Sequence, residues 1–396
     1  MQNYIKLKKI LEGLQPYSIK LGLERTIAML KALHNPHYAF KSIIIGGTNG
    51  KGSVAQMLSD SFIHKGYNVG LYTSPHLILL NERIKVNNKS IDYNTLLDLA
   101  LKLEPIAKEF GATYFEFLTV LSFLVFKSLN VEYAILEVGM GGEFDATNVV
   151  DPILSVITSI SLDHTEHLGK TIEQITKTKI AIIKKIGVIG KNTQNVVEFI
   201  KQSKNVPLYF VDEQYMNRAK NFDLKFLKCD YEKENLACAM LAVDSLNKHY
   251  NLGLSVKPMK NTYWPARFEI IKSANKTFII DGAHNVDGAL RFLECAKKMK
   301  GTKMLIYSSL KQKDYKKILN IFDGWFDEIL ITKTNNQNSI DESDIKGTLK
   351  NYRFLEDVNA CLQYAYQSIY ENIFVAGSLY LAGLAKACSI EQENLP

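Results

Sequence analysis

Apolar runs of strand length recur along the chain, and most are followed by a stretch with helical spacing. The run Ser42-Ile-Ile-Ile45 ends in glycines and leads into Val54 to Lys65, whose apolar positions repeat at helical intervals, so this region predicts strand, tight turn and helix. Tyr133 to Gly139 and Ile153 to Ile160 are continuous apolar runs, the pattern of parallel strands covered on both faces. Phe117 to Phe126 is the longest apolar stretch; it is roughly half of what a bilayer span requires and reads as a buried helix. A second strand and helix series begins with Thr277 to Asp281 and continues through Lys303 to Tyr307, Glu328 to Thr332 and Asn372 to Ala376.

Between the two series stands Tyr263-Trp-Pro-Ala-Arg267, where Pro265 interrupts the pattern before a strand reading resumes at Phe268. The predicted organisation is a domain over 1–262, a hinge at 263–267 and a smaller domain over 268–396. The expected fold class is α/β: an N-terminal P-loop-type, mostly parallel sheet with helices on both faces, plus a smaller C-terminal Rossmann-like α/β domain.

A length of 396 residues supports two or three cores, and 46% hydrophobic against 22% charged residues excludes a disordered or low-complexity chain. The net charge of +7 is compatible with an anionic substrate and equally with a lysine-rich surface. Basic residues are dispersed, with no aromatic-interleaved basic stripe, so no nucleic-acid partner is expected. Five scattered cysteines, Cys229, Cys238, Cys295, Cys361 and Cys388, predict reduced thiols in a cytoplasmic protein and no disulfide scaffold or zinc site. Met1 to Leu11 mixes apolar and basic positions without a continuous apolar core or cleavage site, so neither secretion nor a membrane segment is expected.

Gly46-Gly-Thr-Asn-Gly-Lys-Gly-Ser53 departs from the common string G-x-x-x-x-G-K-[ST], because Gly52 follows Lys51 and the spacing before Gly50 is one residue short. Its physical parts are nevertheless present. Glycines let backbone N–H groups curl around phosphate oxygens, Lys51 supplies a point charge, and Ser53 opens a helix whose dipole favours an anion. A structural βα turn also wants glycine; the adjoining Lys and Ser point to nucleotide phosphate. Such a site needs Mg2+ with oxygen ligands. Glu137 ends an apolar strand, a costly place for a carboxylate unless a metal or a salt bridge relieves it. Ser161-Leu-Asp-His164 follows the next strand, so these groups would converge at the carboxyl edge of one sheet, where open α/β sheets bind ligands. A lone histidine there is otherwise a structural residue.

Taken together, these strings resemble the dihydrofolate synthase/folylpolyglutamate synthase family of the Mur ligase superfamily. Gly47-Thr-Asn-Gly-Lys-Gly-Ser53 is similar to the family's phosphate loop, and Thr73-Ser-Pro-His-Leu77 with Glu82-Arg-Ile84 to the loop after its first helix. Leu136-Glu-Val-Gly-Met-Gly-Gly142 with Asp145-Ala-Thr-Asn148 resembles its central signature. Thr158-Ser-Ile-Ser-Leu-Asp-His-Thr165 and Asp281-Gly-Ala-His-Asn285 complete the set, which spans both predicted domains.

The resemblance implies ATP phosphates held by Asn49, Gly50, Lys51, Gly52 and Ser53, and two Mg2+ ions ligated by Ser74, Glu137 and His164. It further implies that Lys179, fifteen residues after His164, carries a CO2-derived carbamate that completes the second metal site. The surrounding string departs from the family's usual Glu-Lys-Ala-Gly at Thr178, Ile180 and Ala181, and Lys177 is the rival position. Only a neutral amine takes up CO2, so such a lysine must be desolvated. Asn235 corresponds to an adenine contact, Arg267 to a phosphate-binding arginine near the hinge and Asp281 to a ribose contact. Lys51, His164, Lys179 and Arg267 are the implied catalytic residues. Leu21, Thr113, Phe115 and Asp145 occupy positions that line the family's pteroate pocket, with a ring stacked on Phe115 and Asp145 accepting ring N–H donors. Lys20 and Glu143 differ from residues often seen there, Glu143 standing where Arg is frequent.

The implied reaction is ATP-dependent addition of L-glutamate to dihydropteroate and to tetrahydrofolate (poly)glutamates through an acyl phosphate, by a cytoplasmic monomer acting on small molecules. A monofunctional folylpolyglutamate synthase is the alternative. A peptidoglycan-type Mur ligase would carry a further domain ahead of the phosphate loop, for which the position of Gly46 leaves no room. A P-loop kinase or GTPase would have no use for the second α/β series.

Overall fold

The computed structural model describes residues 2–14, 22–273 and 275–393. Lys20 and Leu21, expected at the pteroate pocket, lie outside the described residues. Contacts divide the chain into two units: Met1–Ser161, Thr165–Leu224 and Lys233–Thr262 form the first, and Leu162–His164, Lys225–Glu232 and Tyr263–Pro396 the second.

Among the described residues the first unit holds eight strands: β1 (Lys41–Gly46), β2 (Val69–Tyr72), β3 (Ile84–Val86), β4 (Lys89–Ser90), β5 (Tyr133–Glu137), β6 (Leu154–Ile157), β7 (Gly187–Ile189) and β8 (Leu208–Phe210). Their order is β4-β3-β2-β5-β1-β6-β7-β8. The three runs legible as buried parallel strands, β1, β5 and β6, are neighbours at its centre, paired in parallel. Their residues have no exposed face to spare, since Ile43, Ile44, Ile45, Ile135 and Val156 are all fully buried. The antiparallel pairings among the described residues of this sheet are those of β3 with β2 and with β4. The helices Lys51–Lys65 and Tyr114–Ser128 are buried around most of their circumference. The second of these is the expected buried helix, started by Thr113, whose hydroxyl accepts from the Glu116 N–H while Glu116 Oε2 accepts from the Thr113 N–H.

The second unit holds β9 (Glu269–Ser273), β10 (Lys276–Ile280), β11 (Lys303–Tyr307), β12 (Glu328–Thr332), β13 (Arg353–Leu355) and β14 (Asn372–Ala376), in the order β13-β12-β11-β14-β10-β9. The four strands read from the sequence form its centre, all parallel, and β9 pairs antiparallel with β10 at one edge. Phe268, Phe292, Phe322, Phe326 and Phe374 pack together in its core. The expected two-domain α/β fold is therefore observed.

One expectation fails here. Cys229 and Cys295 are joined as a disulfide, their Cα atoms 5.8 Å apart, so the prediction of five reduced thiols holds only for Cys238, Cys361 and Cys388. The two residues stand 66 positions apart, and only the packing of the second unit brings them together. Among the described residues no helix is long and apolar enough to cross a membrane.

Candidate active site

The loops that leave β1, β2, β5 and β6 at the carboxyl edge of the first sheet carry most of the expected site. After β1 the chain turns through Gly47 and Gly50, whose φ values of +138° and +86° suit glycine. A Cβ on Gly47 would stand 1.9 Å from Thr158 Oγ1, and one on Gly50 would stand 2.1 Å from Asn235 Oδ1. The loop is thus packed directly on the segment after β6 and on the side chain expected to meet adenine. Hydrogen bonds hold it there: Thr48 N donates to Ser159 O at 2.6 Å, and Thr158 Oγ1 donates to Asn49 O at 2.7 Å. Lys51 Nζ donates to the carbonyls of Gly47 and Thr48 at 3.2 and 3.0 Å, and Gly52 and Ser53 are buried in the first turn of the helix.

Glu137, the last residue of β5, is 5% exposed, and its Oε2 accepts from the backbone N–H of Ser74 at 3.1 Å. Two of the expected metal ligands are therefore adjacent. Lys179 is buried near the end of the helix Ile172–Ile180, where its Nζ donates to Gly47 O at 2.8 Å. Lys177, on the same helix, is exposed. That helix reaches the loop because Gly142 is bare: a Cβ there would fall 2.8 Å from the Thr178 carbonyl oxygen.

On the same edge Phe115 packs against Gly139, where a Cβ would stand 2.6 Å from its ring, and lies 6.2 Å from the Tyr72 ring centre. Asp145 closes the loop after β5. Its Oδ2 accepts from Gly139 N and Met140 N, both at 3.0 Å, and its Oδ1 from Thr147 N at 3.0 Å and Thr147 Oγ1 at 2.6 Å. Burial raises its pKa despite these donors. The ring N–H contacts expected of Asp145 thus fall on a carboxylate already accepting four hydrogen bonds.

In the second unit Asp281 follows β10 and is 4% exposed. Burial raises its pKa against the opposing charge of Arg267 and the donors Tyr231 Oη (2.6 Å), Ala283 N (2.8 Å) and Phe268 N (2.8 Å). Arg267 lies over Gly282, where a Cβ would come within 2.7 Å of its Nη1. His164 adopts φ +50° and stands 3.4 Å from Lys313 Nζ. Its neighbour Asp163 accepts from Lys313 Nζ at 2.5 Å and Asn285 Nδ2 at 3.1 Å. Burial alone would raise the Asp163 pKa, but the His284 hydrogen bond and the charges of Lys313, His284 and His164 outweigh it and hold the carboxyl far below the ordinary range. Sequence reasoning missed Tyr231 and Lys313. Tyr231 stands four residues before Asn235, one helical turn, and that spacing was the available signal.

Comparison with known proteins follows the same division. The Mur ligase middle domain matches residues 45–257, and the Mur ligase glutamate ligase domain matches 266–379. A probable dihydrofolate synthetase of Schizosaccharomyces pombe is 35% identical over 297 residues, covering 69% of this chain and 71% of its own. The dihydrofolate synthase/folylpolyglutamate synthase of Bacillus subtilis is 31% identical over 352 residues, covering 80% and 82%. The crystal structure of a folylpolyglutamate synthase from Thermotoga maritima superposes with a TM-score of 0.81 at 30% identity, covering 98% of this chain and 96% of that one. With relatives of this identity over most of its length, the chain belongs to the dihydrofolate synthase/folylpolyglutamate synthase family of Mur ligases and is an ATP-dependent ligase.

Proposed function

We propose that the enzyme adds L-glutamate both to dihydropteroate and to tetrahydrofolate (poly)glutamates through an acyl phosphate. The observation that carries this reading is the assembly at Gly47, whose carbonyl accepts from both Lys51 and the buried Lys179, while Ser74 and Glu137 meet at neighbouring strand ends. Asn49 to Ser53 hold the ATP phosphates, Asn235 the adenine, Arg267 a phosphate and Asp281 the ribose. A carboxylate oxygen of the pterin substrate attacks the γ-phosphorus and ADP leaves. The glutamate amine then attacks the acyl carbon, releasing phosphate and a proton. Lys51 and Arg267 neutralise charge on the transferring group, so catalysis is chiefly positioning and electrostatics. Ser74, Glu137, His164 and a carbamate on Lys179 would hold Mg2+, which supplies further charge neutralisation. Hydroxyl and carboxylate oxygens suit that hard cation. Lys179 is 5% exposed and so meets the desolvation that CO2 uptake requires, and the exposure of Lys177 argues against it as the rival. Phe115 and Gly139, backed by the buried Tyr72 ring, form a wall suited to a flat ring.

The test is purified protein with ATP, Mg2+ and radiolabelled glutamate, offered dihydropteroate and tetrahydrofolate separately. Labelled product is expected from each, with phosphate release only when both co-substrates are present. Turnover of tetrahydrofolate alone would reduce the reading to a folylpolyglutamate synthase, and turnover of neither would overturn it. Lys179→Ala should be nearly inactive and partly restored by acetate or formate, with Lys177→Ala nearly neutral. The reverse pattern would remove the carbamate.

A further inference from the structure

The loop after β2 contains a buried cation to which the reading above assigns no role. Arg83 is 8% exposed. Its Nε donates to His76 Nδ1 at 2.8 Å, and its guanidinium lies 5.6 Å from the centre of the Tyr114 ring. Among the described residues no carboxylate stands within 4.0 Å of it. The adjacent Glu82 is committed elsewhere, accepting from the backbone N–H groups of Leu77, Ile78 and Leu79 at 2.8, 3.1 and 2.7 Å.

A guanidinium has five N–H donors, and among the described residues the hydrogen bonding to protein uses only the one on Nε. Burying such a charge without an anion is costly. The Nη atoms are not among the fully enclosed unpaired atoms, so they remain reachable. Their surroundings are those of the pteroate wall: the Tyr72 hydroxyl feels the charges of both Arg83 and Asp145, and the Tyr72 ring neighbours Phe115. The carbonyl of Arg83 accepts from Thr73 N at 3.0 Å, one residue before Ser74, whose own N–H goes to Glu137. The Arg83 backbone is thus held at the strand end leading to Ser74 and Glu137, while its guanidinium lies beside Tyr114 and within electrostatic reach of the Tyr72 hydroxyl.

We propose that Arg83 anchors the carboxylate of the bound pterin substrate through its unengaged Nη donors, a planar fork that matches a carboxylate. This rests on the pteroate-pocket reading given above. The test is equilibrium titration with pteroic acid and with its neutral primary carboxamide, which has the same rings and shape. The wild type should bind the acid at least about tenfold more tightly than the amide, as expected for a charged hydrogen-bonded pair. Arg83→Met should abolish that preference while holding the amide as well as before, and Arg83→Lys, which keeps the charge without the fork, should retain part of it. Because the preference is a ratio measured on one sample, partial unfolding of a variant does not change it, and Arg83→Lys serves if Arg83→Met does not fold. A preference that survives in Arg83→Met, or equal weakening of both ligands, overturns the proposal. Failure of the wild type to bind either compound would overturn the pocket reading and this anchor with it.

Discussion

At Gly50 a single Cβ decides whether the phosphate loop can form. Its φ of +86°, and an Asn235 side chain only 2.1 Å from where a β-carbon would stand, leave no room for alanine. Gly50→Ala is expected to cost about 1–3 kcal/mol in urea unfolding and to weaken ATP binding by about tenfold or more in calorimetric titration, since the loop and Asn235, the proposed adenine contact, shift together. His37 is a second such position. It is 7% exposed against Phe123 and Tyr38, and burial lowers its pKa from 6.5 to about 4. The folded state therefore resists protonation, so the associated stability is complete above pH 6.5 and lost as the pH falls toward 4, reaching about 2 kcal/mol at pH 5. His37→Phe should lose less stability than the wild type between pH 7 and pH 5, by about that amount; identical pH dependence in urea unfolding would refute the assignment. Neither effect is visible in the sequence, where Gly50 is one of several glycines and His37 one of eight histidines. The preference for Lys179 over Lys177 was partly legible, since the family's spacing from His164 favours Lys179; the burial of Lys179 and the exposure of Lys177 come only from the fold.

Between elements, a buried ion pair joins the helix Glu24–Ala32 to the start of Tyr114–Ser128. Arg25 Nε lies 3.0 and 3.1 Å from the two Glu116 oxygens and its Nη2 2.9 Å from one of them, with the Glu116 side chain 7% exposed. Arg25→Met leaves that carboxylate buried without its fork and should destabilise by about 2–3 kcal/mol, while Arg25→Met combined with Glu116→Met should recover part of the loss. Simple additivity of the two single variants in urea unfolding would show that the pair is not coupled. The helix itself was legible, since its apolar run is long. The strands β3, β4, β7 and β8 were not, because two to three residues are too few to show a period.

For the whole molecule, ATP binding should appear as stability. A nucleotide held by Lys51 in the folded state adds about 2.7 kcal/mol to urea unfolding at a hundred times Kd. ATP with Mg2+ should do this for the wild type and largely fail for Lys51→Ala, whereas an equal shift in both would place the nucleotide elsewhere. The order of elements, the central strands of both sheets and the motif strings at their carboxyl ends were determined by the sequence alone, because strand and helix periods and glycine turns are local properties. What only the tertiary structure decided is which distant groups meet. Lys179 reaches the Gly47 carbonyl across 132 positions, Cys229 finds Cys295 across 66, and Asp145 spends its four acceptors on its own loop. Arg83 is buried without a carboxylate among the described residues beside it. These outcomes depend on strand order and on the crossovers between strands, and neither leaves a periodic trace in the residues being brought together.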